Sequence, residues 1–120
     1  MDNEMKNTLK IFKALGDRNR LRIVKILQHR GNRCVCEIGE ILGIGQPTTS
    51  RHLKVLEEAG LIFFQKDGKW VNYSLAKDTG DEKAQRALAL VRDWLNEDPE
   101  IASDARRIDG VERCNLCGIK

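Results

Sequence analysis

The stretch GIGQPTTSRHL, residues 43–53, decides how this chain is read. Gly43 and Gly45 interrupt the chain just before Pro47, and a proline there suits the first position of a new helix. Within that helix Thr49, Leu53 and Leu56 share one face and would pack backwards. Gln46, Thr48, Ser50, Arg51 and Lys54 are then left outward or at the N-terminal end. Short hydroxyls, an amide and an arginine can donate to phosphates and reach base edges in a major groove. Free N–H groups at a helix N-terminus favour a nearby phosphate as well. A merely solvated helix face is normally richer in Glu and Lys than this stretch. The pattern points to a helix that contacts DNA.

Upstream, Met5, Leu9, Phe12 and Leu15 recur at helical spacing, which predicts a first helix from about Asn3 to Leu15, ended by Gly16. Asp17 is a natural N-cap for a second helix built on Leu21, Val24 and Leu27 and finished before Gly31. His29 closes it, where its partial charge suits the helix C-terminus. A short third helix, about Glu37 to Leu42, ends at Gly43, and the fourth runs to Gly60. Downstream, 61–64 and 70–75 are rich in aromatic and β-branched residues, with Asp67-Gly68 between them, a hairpin signal. Lys66 and Lys69 flank that turn and could grip the DNA backbone or minor groove, though lysines at hairpin tips also serve solubility. His52, between Arg51 and the packed Leu53, is grouped with the DNA-contacting set as a phosphate-facing or structural residue. Ala84, Ala87, Leu88, Val91 and Leu95 form one stripe of a fifth helix, with Trp94 beside it and Pro99 marking its end. The fold class is therefore mainly α with a β-hairpin wing, a winged helix-turn-helix.

Hydrophobic residues are 41% and charged residues 32% of the 120, which fits one globular domain. Residues 1–98 are assigned to it, and 99–120, weakly periodic and partly helical or disordered, to a cysteine-containing C-terminal tail. No apolar run approaches a membrane span, and the polar N-terminus does not read as a secretory signal, so the cytoplasm is expected and no membrane partner. Charge is divided unevenly: residues 1–77 carry 14 Lys/Arg against 8 Asp/Glu, a net +6, and residues 78–120 carry 7 against 10, a net −3. An anionic partner for the N-terminal part fits this asymmetry.

The four cysteines, Cys34, Cys36, Cys114 and Cys117, form one C-x-C and one C-x-x-C pair. In a reducing compartment such clusters are more often metal-binding or redox-active than structural. A thioredoxin-like enzyme, the alternative from another class, would need a βαβ setting around Cys114, and nothing there supplies one. No Gly-rich nucleotide loop or hydrolase triad occurs either, so no enzyme is expected.

The strings FKALGDRNRLRIVKIL (12–27), CVCEIGEILGIGQPTTSRHLKVLEEAGLI (34–62) and DGKWVNYSL (67–75) resemble the ArsR/SmtB family of metalloid- and metal-responsive repressors. C-V-C followed by G-K-W-V-x-Y is most similar to the arsenical-resistance subgroup. The resemblance implies a homodimer, joined through its first and last helices, that holds double-stranded operator DNA until an inducer binds. The family's zinc-sensing site uses Asp and His on the last helix. Residues 78–98 contain no histidine, so that site is not expected. The arsenical subgroup usually reads C-V-C-x-x-C, and here Gly39 stands where the third cysteine belongs.

Trivalent arsenic or antimony is the inducer this implies, since soft ions prefer thiolates; zinc or cadmium are the alternatives. Two cysteines at i and i+2 of a regular helix point about 200° apart, so sharing an ion needs an irregular helix start. A third thiol could come from Cys114 or Cys117. The same four cysteines could instead form a four-thiolate zinc site or a dithiol redox switch, or Cys34 and Cys36 could be small buried residues.

Overall fold

Helices α1 and α2 each start where a short polar side chain can accept from the first turn. The computed structural model describes residues 3–76 and 81–110. Asn3 caps α1 (Glu4–Leu15) by accepting from Lys6 N–H at 2.9 Å, and Asp17 caps α2 (Arg18–His29) by accepting from Arg20 N–H at 3.1 Å. A two-residue strand β1 (Arg33–Cys34) then leads directly into α3 (Val35–Leu42). Gly43, at φ +76, ends α3 in the left-handed region that a side chain would disfavour. The turn delivers the chain to α4 (Gln46–Glu58).

The wing is β2 (Ile62–Asp67) and β3 (Trp70–Leu75), paired antiparallel from Ile62 opposite Leu75 to Asp67 opposite Trp70. The short strand β1 adds to the far edge of β3, Arg33 opposite Tyr73 and Cys34 opposite Asn72, so the sheet order is β1-β3-β2. This strand is not visible in the sequence pattern, and it moves the start of α3 from Glu37 back to Val35.

Six consecutive residues of α2, Arg22 to Leu27, are buried, so this helix is enclosed on all sides and forms the centre of the domain. Its Ile23 and Ile26 and, from other elements, Ile38, Ile41, Leu53, Leu56, Leu61 and Ile108 are the largest fully buried side chains. Each contributes about 1.5–3 kcal/mol relative to an exposed position.

Helix α5 (Glu82–Arg92) is capped by Asp81, which accepts from Lys83 and Ala84 N–H. It buries Ala84, Leu88 and Val91 and stops at Arg92, before the expected Leu95. Pro99 does not end that helix. It opens another, α6 (Pro99–Ile108), whose N-cap Asp98 accepts from Glu100 and Ile101 N–H at 2.9 and 3.2 Å. Helix α6 packs on α2 and α3 and buries Ile108. Residues 99–108 of the expected tail thus lie against the winged-helix core, whereas Cys114 and Cys117 lie outside the described residues.

Candidate nucleic-acid interface and thiol site

Thr49, Leu53 and Leu56 turn inward from α4 and are each fully buried. Thr49 Oγ1 donates to Gly45 O at 2.8 Å, which spends its hydroxyl inside the helix-turn-helix. Gln46, Ser50, Arg51 and Lys54 remain exposed, and Thr48 is half-buried. Arg51 Nη2 reaches Thr48 Oγ1 at 3.4 Å, and Lys54 lies 3.9 Å from Glu58 across one turn. Such contacts on a wet surface are weak and leave both cations available. Gly45 provides no capping side chain at the N-terminus of α4. Lys66 and Lys69 are exposed beside the hairpin turn.

His52 differs from these neighbours. Its Nδ1 accepts from Arg20 Nη1 at 3.2 Å and lies 4.0 Å from Asp17 Oδ2, with only 16% of the side chain exposed. Arg20 also donates to Lys13 O and Ala14 O, the last turn of α1. His52 is thus tied to the first two helices rather than grouped with the exposed residues of α4.

Cysteine placement follows from β1. Cys34 is the N-cap residue of α3 with extended backbone, φ −85° and ψ 167°, and it is buried. Glu37 reaches back and accepts from Cys34 N–H at 3.0 Å, while its other oxygen holds Arg33 Nη1 at 2.9 Å. Burial pushes the Cys34 thiol above its ordinary pKa; the Glu37 backbone N–H opposes that push, and the Glu37 carboxylate adds to it. Cys36, in the first turn of α3, is disulfide-bonded. Its Sγ is 3.9 Å from Gln46 Oε1, the first residue of α4.

Gly39, where the arsenical subgroup carries its third cysteine, serves packing here. A Cβ at that position would meet Thr49 Oγ1 at 3.1 Å and Ile44 O at 3.3 Å, so its absence lets α3 and α4 approach closely. Among the described residues, no group of three or more His, Cys, Asp or Glu could hold a metal ion. The Cys34 thiol and, once reduced, that of Cys36 could contribute to a soft-ion site, and further donors must come from elsewhere.

Sequence reasoning missed Arg20, Arg22, Lys25 and Arg107. Arg22 forms a bidentate pair with Asp104, both bonds at 2.9 Å, and Lys25 Nζ donates to Val91 O, Arg92 O and Asn96 Oδ1. Burial pulls the Lys25 pKa below its ordinary value. The available signal was the presence of two long cations inside the apolar run 21–27 of α2, which implies buried partners.

On α1 and α5 a different surface is left open. Met5, Leu9, Phe12, Leu90 and Trp94 are each more than half exposed, and Phe12, Leu90 and Trp94 border, with Ile11, Leu15 and Leu21, an apolar trough of about 670 Å³.

The profile described as "Bacterial regulatory protein, arsR family" matches residues 17–62. The arsenical resistance operon repressor of Escherichia coli is 46% identical over 68 residues, 57% of this chain and 58% of that protein. A helix-turn-helix-type transcriptional regulator of Methanocaldococcus jannaschii is 45% identical over 68% of this chain and 86% of its own length. A cadmium resistance transcriptional regulatory protein homologue of Staphylococcus aureus is 34% identical, covering 70% of this chain and 69% of that one. Among solved structures, a homodimeric winged helix-turn-helix DNA-binding domain of Mycobacterium bovis, described as a possible ArsR-family regulator, superposes with a TM-score of 0.62. It is 30% identical and covers 73% of this chain and 77% of that chain. The fold and these relatives are those of DNA-binding transcriptional regulators, not enzymes. A helix-turn-helix seated on the family profile, and relatives aligned across most of their own length, make this chain a member of the ArsR family.

Proposed function

We propose that the protein represses transcription as a homodimer, holding operator DNA with α4 in the major groove and releasing it when arsenite or antimonite binds cysteine sulfur. The observation that carries this reading is the place of the cysteine pair. Cys34 caps α3, and Cys36 sits in its first turn with its sulfur 3.9 Å from Oε1 of Gln46, the first residue of α4. An inducer that bonds both sulfurs must draw the cap and the first turn together, so α3 loses its regular start and Gln46 loses its neighbour. In that reaction each thiol exchanges with a hydroxyl on arsenic: an As–S bond forms, an As–O bond breaks, and the thiol proton leaves with hydroxide as water. Cys36 takes part in its reduced form, so a cellular dithiol must first open its disulfide. Cys114 or Cys117 supplies the third sulfur in this reading. The relatives named for arsenical resistance support the metalloid inducer, and those named for cadmium resistance support cadmium or zinc as the alternative.

The apolar trough between α1 and α5 is the proposed dimer face, supported by the homodimeric relative. Two α4 helices related by a two-fold axis would meet half-sites about 34–36 Å apart, on an imperfect inverted repeat. Gln46, Thr48, Ser50, Arg51 and Lys54 then supply base and phosphate contacts, with Lys66 and Lys69 on the flanking backbone. Among the described residues no helix is long and apolar enough to cross a membrane, and the cytoplasm is the compartment that fits a DNA-bound regulator.

A dithiol switch is a second reading, favoured by the disulfide at Cys36. One titration separates these readings: fluorescence anisotropy of labelled operator with reduced protein, against arsenite, antimonite, cadmium, zinc and the thiol oxidant diamide. Release by arsenite or antimonite that is lost in Cys34→Ser and Cys36→Ser supports the metalloid reading. Release by diamide alone favours the switch, and a Cys34/Cys36 double variant still released by arsenite would falsify the sensor assignment.

A further inference from the structure

A helix leaves its last four carbonyls without partners of its own. In α3 these belong to Gly39, Glu40, Ile41 and Leu42, and the structure accounts for all of them. Gly39 O accepts from Gly43 N–H at 2.8 Å and Ile44 N–H at 3.2 Å. Glu40 O and Ile41 O accept from the two terminal nitrogens of Arg107, at 2.9 and 2.8 Å. Leu42 O accepts from Arg22 Nη2 at 3.4 Å. The end of α3, from which the turn launches α4, is therefore finished by a side chain of α6 more than sixty residues away. Arg107 is itself firmly placed. One turn earlier Asp104 is locked to Arg22, and the next residue, Ile108, is 1% exposed. The guanidinium brings positive charge to the negative end of the α3 dipole, and its planar fork bridges two successive carbonyls.

We propose that Arg107 is a positioning residue for DNA reading: by closing the last turn of α3 it fixes the direction in which α4 leaves the turn. This rests on the reading of α4 as the DNA-contacting helix given above. Without the guanidinium the two carbonyls turn to water, which a surface site tolerates, so the fold survives while the turn loses its single geometry. Contacts to phosphates adapt to a loosened helix because a Coulombic contact falls off slowly. Base-edge hydrogen bonds do not, because they need both distance and angle. Arg107 should therefore govern the preference for the operator over other DNA rather than DNA affinity in general.

The test uses the full chain, with a preferred duplex selected from randomised DNA and a scrambled duplex of equal length. Arg107→Ala should bind the selected duplex about tenfold more weakly, the scale of one lost base contact, and the scrambled duplex within about twofold of the wild type. Arg107→Lys should recover part of the preference. Arg106→Ala removes the same charge from the neighbouring exposed position and should leave the preference unchanged. Amide exchange at Gly43 and Ile44 should be about tenfold faster in Arg107→Ala and unaltered in Arg106→Ala. Should Arg107→Ala not fold, Arg107→Gln, which keeps the stem and one donor group, is read in the same way. An unchanged preference in the Arg107 variants, or an equal loss in Arg106→Ala, overturns the proposal. If selection yields no preferred duplex for the wild type, the DNA-reading assignment falls instead, and the exchange rates still decide whether Arg107 holds the turn.

Discussion

The two ends of α3 are built by opposite means. At its start the capping contacts are local: Cys34 is the cap, Glu37 reaches back three residues to it, and Arg33 steadies Glu37 from the preceding strand. At its finish Gly43 and Ile44 act locally only on Gly39 O, and Arg107 and Arg22 close the remaining carbonyls from other helices. A local arrangement can be opened by one ligand at one residue and re-formed when the ligand leaves. A finish held from α2 and α6 yields only if the packing of those helices yields. The helix is thus releasable at the cysteine end and fixed at the end that carries the turn.

The largest effect expected from breaking this contrast comes at the fixed end. Asp104→Ala strips the bidentate partner from Arg22, whose side chain is only 11% exposed, and leaves it the longer 3.7 Å pair with Glu100. Breaking a buried pair costs about 3–5 kcal/mol, and the remaining carboxylate sets the expected loss at the low end, about 3 kcal/mol. Thermal or urea unfolding should show it, and a change below about 1 kcal/mol would mean that Arg22 finds water instead.

At the releasable end the effect should be smaller. Glu37→Gln keeps an acceptor for Cys34 N–H but loses the charge that holds Arg33, for roughly 1–2 kcal/mol. The same change should lower the pKa of the Cys34 thiol, because the carboxylate contributes to raising it, while burial keeps the pKa above its ordinary value. Thiolate absorbance, followed against pH in a variant that retains only Cys34, measures the shift, and an upward shift would contradict the arrangement. The sign for stability follows from the raised pKa: with the thiol neutral the fold keeps this contribution, and it is lost as pH climbs past the ordinary thiol range.

Between the two ends, Gly39→Ala tests whether α3 and α4 need their close approach. The new methyl gains about 1 kcal/mol of helix propensity. It also presses on Thr49 Oγ1, which is tied to Gly45 O, and on the backbone of Ile44. Overpacking costs about 1–3 kcal/mol, so a net loss near 1 kcal/mol is expected in unfolding measurements. A more stable Gly39→Ala would show that the two helices can separate without strain.

Elements marked by apolar periodicity or turn chemistry could be read directly: the helix-turn-helix from Thr49, Leu53 and Leu56, and the wing from Asp67-Gly68. Those held by charge could not. Helix α6 buries Asp104 and Ile108 and reaches α3 through Arg107, so no hydrophobic stripe announces it. Its sequence signal was Asp98-Pro99, a cap followed by a first-turn proline, which also suits the end of a preceding helix. Strand β1 has two residues and no pattern of its own. At the site, the exposed residues of α4 follow from helical spacing alone. The inward tie of His52 depends on Arg20, 32 positions away, which spacing along α4 cannot reveal.

Lys25 gives this architecture a further property. Two of its hydrogen bonds fasten α2 to the end of α5, the helix that carries half of the proposed dimer face, and the third to Asn96 just beyond it, while Arg22 on the same helix fastens α2 to α6. In the dimer, α2 would then act as a ruler between the symmetry axis and each α4. Adding one base pair between operator half-sites shifts one by about 3.4 Å and turns it by about 35°. A protein whose ruler is pinned at both ends cannot follow that turn. Spacing between half-sites should therefore be read as strictly as their sequence.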